Sequence, residues 1–160
     1  MVTWYFAPNT IALASHIALE HVGAEYQTVR VDFSKNQQRS ADYLHLNPKG
    51  RVPVLVTDQG TLTETPAMLL YICQLFPQAN LAPLDNPFAL AKLNEFNSYL
   101  CSTVHVAHAH RMRGTRWVDD EPLAIAAMQK KVPQNIADCF ALIEREWFNG
   151  LLKNTCSTAC

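Results

Sequence analysis

Hydrophobic and polar positions change rhythm along the chain, and each change marks an element. Val2 to Phe6 form a short apolar run ending near Pro8, which predicts a strand. A Pro-Asn-Thr turn then leads into Ile11, Leu13, Ala14, Ile17, Ala18 and Leu19, predicting a helix from about Thr10 to Val22 closed by Gly23. Its apolar side chains lie on nearly every side, so burial against a sheet is expected. "YQTVRVDF" at 26–33 alternates and predicts a second strand. The polar run 34–43 reads as a loop entering a short irregular helix that stops at Asn47-Pro48-Lys49-Gly50. Val54 to Val56, the turn Asp58-Gln59-Gly60, and Thr61-Leu62 predict a hairpin. Thr65 before Pro66 reads as a helix cap followed by a first-turn proline, with the helix running to about Leu75. The order β-α-β-α-β-β-α fits a mixed four-stranded sheet with helices on both faces.

Beyond residue 80 the period of two disappears. The stretch "LAPLDNP", 81–87, is rich in proline and turn signals and reads as a linker between a first domain, 1–80, and an all-helical one, 88–160. Leu93, Phe96, Leu100, Val104 and Ala107 recur at helical spacing, as do Ile125, Met128, Val132, Ile136, Cys139, Ile143 and Trp147. Pro133 is expected to kink the second of these helices. Two such amphipathic helices expose a wide apolar surface, which calls for the first domain, a partner chain or further helices to cover it.

Composition narrows the classes of function. With 160 residues, 49% of them hydrophobic, the chain can bury a real core. Thirteen basic and 14 acidic side chains leave a net charge of -1, which gives no reason to expect nucleic acid or an anionic membrane as partner. The start lacks a basic segment followed by a long apolar one, and no apolar run approaches the roughly 18 to 20 residues of a membrane span. Five scattered cysteines, an odd number, suit a reducing compartment better than a disulfide framework. A soluble cytoplasmic protein is the expectation.

The first helix start is chemically ambiguous. Backbone N–H groups of Ile11, Ala12 and Leu13 have no acceptor within a helix beginning there, which is suitable ground for an anion or an activated nucleophile. Ile11 and Ala12 nevertheless bring no reactive side chain. Thr10 reads first as the helix cap, with a hydroxyl able to donate to a sulfur as the functional reading. Tyr5 reads as packing, and Asn9 offers an amide in the turn. Farther on, His105 and His108 share a helix face while His110 lies round from them. No convergent fourth ligand accompanies them, so no metal site is expected. Arg111, Arg113 and Arg116 read as a solvated basic patch or a dimer rim.

The order of elements, "ALASH" at 12–16, "NPKGRVPVL" at 47–55 and "LTET" at 62–65 together resemble a glutathione transferase, with texture closest to the bacterial beta class. The likeness covers essentially the whole chain. It implies a thioredoxin-like α/β domain followed by an all-α domain. It also implies glutathione as cosubstrate, a hydrophobic electrophile as the second substrate, and a homodimer. In the family the Val52-Pro53 bond is cis, and the backbone before the proline pairs with the cysteinyl part of glutathione like an added strand. The resemblance also places Arg51 and Lys35 at the peptide, with Lys35 reaching its glycine end. Helix-start N–H groups and the Thr65 hydroxyl would hold the α-carboxylate of the γ-glutamyl group, while Glu64 pairs with its ammonium. His105 lines up with a histidine near the electrophile pocket. Ser98, beside Asn97, falls where the family often has an asparagine reaching the partner's glutathione.

Two departures stand out. Ile11 stands where the beta class has a cysteine and Ala12 where it has a serine, which excludes cysteine-based thiol transfer at that position. Thiolate stabilisation is then left to Thr10, Asn9 or the backbone. The chain also stops where relatives would begin the core helix of the helical domain, with Ser157 or Thr158 as its cap and Cys156 and Cys160 in the tail. The helical domain is therefore expected to be incomplete. Weak or altered conjugating activity is one expectation, and a non-catalytic scaffold or regulatory module of the same fold is the alternative.

Overall fold

Trp4 and Tyr5 are adjacent in β1 (Val2–Phe6) and serve opposite faces of one sheet, as the strand period requires. The computed structural model describes residues 2–148. Ser157, Thr158, Cys156 and Cys160 therefore lie outside the described residues. After β1 come α1 (Ala12–His21), β2 (Tyr26–Arg30), α2 (Ala41–Leu46), β3 (Val54–Thr57), β4 (Gly60–Thr63) and α3 (Thr65–Leu75). The sheet order is β2-β1-β3-β4, with β1 parallel to β2 and the other two pairs antiparallel. This is the mixed four-stranded, thioredoxin-like arrangement.

On one face Trp4 and Leu55 pack with Ala12, Ala18 and Leu19 of α1 and with Met68 and Ile72 of α3. On the other, Val54 packs with Val31 and with Tyr43 of α2, flanked by Tyr5, Phe33, Leu46, Val52 and Val56. The Trp4 indole N–H donates to the Ser15 hydroxyl at 3.0 Å, and Ser15 donates to the Ala12 carbonyl at 2.9 Å. A wholly buried serine thus satisfies the polar end of the largest core side chain.

Several expectations shift in detail. α1 starts at Ala12 rather than Thr10 and buries one face only. Ala12, Ser15, Ala18 and Leu19 are buried, whereas Ile11, Leu13 and Ile17 are about half exposed or more. The sheet takes up one stripe of the helix, and an apolar pattern does not say what covers the rest. Its C-terminus is as expected. Gly23 sits at φ +65, its N–H bonds the Glu20 carbonyl, and the Ala24 N–H bonds that of Leu19, which is the double closure of a Schellman motif. β2 ends at Arg30 rather than Phe33 because Asp32 turns the chain by accepting from the Ser34 N–H at 2.9 Å. The polar loop holds two 3₁₀ turns, Phe33–Lys35 and Gln37–Arg39, before Ser40 caps α2 through the Tyr43 N–H. The hairpin turns tightly, pairing Thr57 with Gly60. At α3 the capping position belongs to Glu64, and Thr65 is the first helical residue.

By compactness the chain divides into Met1–Asn94 and Glu95–Cys160, a division that falls inside α4 (Pro87–Tyr99). A π-helical segment, Leu100–Val104, joins α4 to α5 (His105–Ala109), and α6 runs from Pro122 to Ile143. Pro133 lies inside α6 and the helix continues on both sides of it. The buried positions of α6, Val132, Cys139 and Ile143, are members of the predicted stripe. Trp147 packs on Phe96 and Tyr99, with ring centroids 5.2 and 5.4 Å apart. No described helix is long and apolar enough to cross a membrane.

Candidate functional site

Strand register decides which loops meet. Tyr5 pairs with Val54 and Val54 with Thr63, while Phe6 pairs with Arg30. Past this rung β1 leads into Ala7 to Thr10, β2 into Asp32 to Lys35, and β4 into Glu64-Thr65. β3 is entered there from Arg51-Val52-Pro53. Residues scattered between Asn9 and Thr65 therefore leave one end of the sheet together: Asn9, Thr10, Lys35, Arg51, Val52, Pro53, Glu64 and Thr65. His105 opens α5 in the second unit, outside these segments.

The Val52–Pro53 peptide bond is cis, and Pro53 is buried at the entry of β3. The carbonyl of Arg51 accepts from the Tyr43 hydroxyl at 2.7 Å and the Asn47 side-chain amide at 2.8 Å. Asn47 is almost wholly buried, and its side-chain oxygen accepts from the Lys49 N–H at 3.2 Å. Gly50 completes this turn at φ +59, where a Cβ would stand 2.9 Å from the Gln38 carbonyl oxygen and the Arg39 guanidinium. These bonds hold the chain on one side of Val52. Its own N–H and carbonyl make no backbone hydrogen bond with the described chain. Val52, just before β3, thus offers an open backbone N–H and carbonyl beside a fixed bend, able to pair with an extended peptide.

Glu64 takes φ +71 and ψ 118, a conformation that costs a non-glycine residue of order 1–3 kcal/mol. Its carbonyl accepts from the Met68 N–H at 3.1 Å, so the helix starts directly from this bend. No side chain caps α3 and Pro66 has no N–H, which leaves the first-turn donors of Thr65 and Ala67 for a ligand or water. The Glu64 carboxylate is not vacant, since the Lys49 ammonium lies 2.6 Å from it and 2.6 Å from the Thr63 hydroxyl. Lys35 lies 4.0 Å from Asp32 with its side chain 83% exposed, a weak surface pair. The Ser34 hydrogen bond, with Lys35 adding a smaller effect, holds the Asp32 carboxyl below its ordinary range.

At the start of α1 the spare donors are fewer than predicted. The Ala12 N–H bonds the Thr10 hydroxyl at 3.3 Å and the Leu13 N–H bonds the Thr10 carbonyl at 3.2 Å, leaving Ile11. Ile11, not Thr10, holds the capping position, and the Thr10 hydroxyl donates its one proton to the Ala7 carbonyl at 2.7 Å. Donation to a sulfur would require giving up that bond. Asn9 adopts φ +57 and is exposed. Among the described residues, no three His, Cys, Asp or Glu side chains converge as a metal site.

Sequence reading missed Tyr43, Asn47 and Lys49. Asn47 was legible only as a helix stop, although an asparagine before Pro-Lys-Gly and a proline-led strand is the available signal. Lys49 carries no pattern of its own, because its partners are 14 and 15 residues away.

A thioredoxin-like sheet with a cis-proline entry and a helix start at one end, followed by a helical unit, is the two-part architecture that the sequence resemblance implied. The model of the glutathione S-transferase N-terminal domain matches residues 1–74. Glutathione S-transferase GstA of Escherichia coli O157:H7 is 31% identical over 148 residues, covering 91% of this chain and 72% of that protein. Glutathione S-transferase GST-4.5 of Xanthomonas campestris pv. campestris is 30% identical over 119 residues, 74% of this chain and 57% of the relative. A glutathione transferase homolog from Sulfitobacter, solved with bound glutathione, shares 44% identity at a TM-score of 0.86, covering 91% of this chain and 70% of that one. The chain belongs to the glutathione S-transferase family.

Proposed function

We propose that the chain binds glutathione at this end of the sheet and conjugates its thiol, weakly, to a hydrophobic electrophile. The observation that carries the reading is the open backbone of Val52 beside the cis-proline bend, with the α3 start leaving the same end. The cysteinyl backbone pairs with Val52, Pro53 and Arg51 flank it, and Lys35 serves the glycyl carboxylate. The γ-glutamyl head meets Glu64, Thr65 and the first-turn N–H groups of α3. The Sulfitobacter homolog's bound glutathione supports glutathione as the cosubstrate. Such an enzyme does little covalent work. It stabilises the thiolate and presents it to the electrophile. Here that stabilisation falls to the Ile11 N–H, to Asn9, and to Thr10 if its proton leaves the Ala7 carbonyl. The half-exposed apolar residues of both units support a homodimer, and the nearly balanced charge accords with a cytoplasmic protein without nucleic-acid or membrane partners.

A second reading, a non-catalytic binding or scaffold protein, is favoured by Ile11 at the helix start and by the engaged Thr10 hydroxyl. Titration with glutathione followed by a conjugation assay separates the two. Binding with slow turnover is expected, and Thr10→Ala should retain binding while costing about 1 kcal/mol of stability from the hydrogen bonds to Ala7 and Ala12; a fall in turnover beyond about threefold would place the Thr10 hydroxyl at the sulfur. Absence of glutathione binding would remove the first reading, and binding with no turnover would establish the second.

A further inference from the structure

We infer that Lys49 joins Glu64 in a paired-charge clamp for the zwitterionic head of the γ-glutamyl group, Glu64 facing the α-ammonium as in the reading above and Lys49 adding a cationic partner for the α-carboxylate beside Thr65 and the first-turn N–H groups of α3. This inference rests on the glutathione-binding reading above and assigns Lys49 a role in it. An ammonium has three N–H donors. Lys49 directs two of them at the Thr63 hydroxyl and the Glu64 Oε1, each at 2.6 Å, and one is left. The Glu64 Oε2 accepts no hydrogen bond among the described residues. Both side chains are reachable, at 43% and 60% exposure. The pair therefore presents one free cationic donor and one free anionic acceptor side by side, next to the unfilled first turn of α3.

An isolated cation would meet repulsion from Lys49, and an isolated anion repulsion from Glu64. A free amino-acid head carries both charges on one carbon and completes an alternating square of four charges. The turn that carries Lys49 is itself fixed through Asn47 and Arg51, so the clamp ties the segment before the cis-proline to the start of α3. It would favour a peptide whose first residue keeps both its α-amine and its α-carboxylate, which a γ-linked glutamate does and an ordinary α-linked one does not.

Calorimetric titration of the full chain with glutathione and with 4-aminobutyryl-cysteinylglycine, which lacks only the α-carboxylate, tests the assignment. The expected pattern is a cycle. Wild type should bind the truncated peptide at least about tenfold more weakly than glutathione. Lys49→Met should lose about tenfold for glutathione while losing little for the truncated peptide, and Lys49→Arg should recover most of the loss. Thermal melts of the variants would confirm that this exposed position leaves the fold intact. Equal affinity of Lys49→Met and wild type for glutathione would overturn the clamp and leave the glutathione reading standing. So would an equal loss for both peptides, because a lysine that merely braced the loop would not distinguish them. No binding of glutathione by the wild type would overturn both.

Discussion

Tyr43 shows how a residue far from any reactive atom shapes the site. Its hydroxyl donates to the Arg51 carbonyl, one residue before the open backbone of Val52. Burial, with the nearby Tyr5 adding to it, pushes its pKa from the ordinary 10.0 up to about 12. A phenol whose folded value is raised keeps its proton longer folded than unfolded, so its contribution to stability is fully present below pH 10 and is lost as pH rises through about 12. Tyr26, also raised to about 12 by burial and then by Glu20, adds the same sign in the same window. Urea midpoints across this range should therefore fall steeply in wild type. They should fall less steeply in Tyr43→Phe, which also starts about 1 kcal/mol lower from the lost hydrogen bond. Parallel slopes in the two proteins would show that Tyr43 ionises freely. At this scale the sequence made legible what local order carries, namely the cis bend at Val52-Pro53 and the helix start at Glu64-Thr65. It did not reveal Tyr43, Asn47 or Lys49, since each gains its role only when the turn at 47–50 closes onto β3 and β4.

The elements were legible for the opposite reason, because strand alternation, the Gly23 stop and the Thr65-Pro66 start are local. What escaped is what covers them. α1 reads as apolar all round, yet Leu13 and Ile17 face outward, and nothing in a period of 3.6 separates a buried side from an uncovered one. The two glycines that end a helix or close a turn permit a sharper comparison. Gly23 has no heavy atom within 4 Å of where a Cβ would stand, so Gly23→Ala should cost about 1 kcal/mol, the penalty of the left-handed backbone alone. At Gly50 the same penalty adds to a 2.9 Å approach to the Gln38 carbonyl, which is backbone and cannot swing away. Gly50→Ala should cost about 1–3 kcal/mol more than Gly23→Ala and weaken glutathione binding, because it displaces the turn that positions Arg51 and Lys49. Chemical denaturation of both variants checks the difference. Equal losses would mean that the 38–39 loop yields at no cost.

For the molecule as a whole, each unit keeps apolar surface that its own packing does not use. In the first, Leu13 and Ile17 of α1 are 61% and 59% exposed, and Leu75 at the end of α3 is 47% exposed. In the second, Leu123 and Phe140 of α6 are 80% and 58% exposed, and Met112 is 79% exposed. Scattered exposed apolar residues are ordinary, but Leu13 and Ile17 are one helical turn apart on one face, which is a stripe rather than scatter. Net charge of -1 supplies little repulsion to keep copies apart. Self-association is therefore the expected outcome. Sedimentation equilibrium at tens of micromolar protein should give twice the 18.0 kDa chain mass, and dilution should restore the single mass while raising the fluorescence of an apolar dye. If association covers the α1 stripe, Ile17→Lys should shift the equilibrium toward single chains and leave the melting temperature of the dissociated protein nearly unchanged, since Ile17 takes no part in the core. A chain that stays single at every concentration and binds the dye strongly throughout would refute the dimer and leave the stripe open to water.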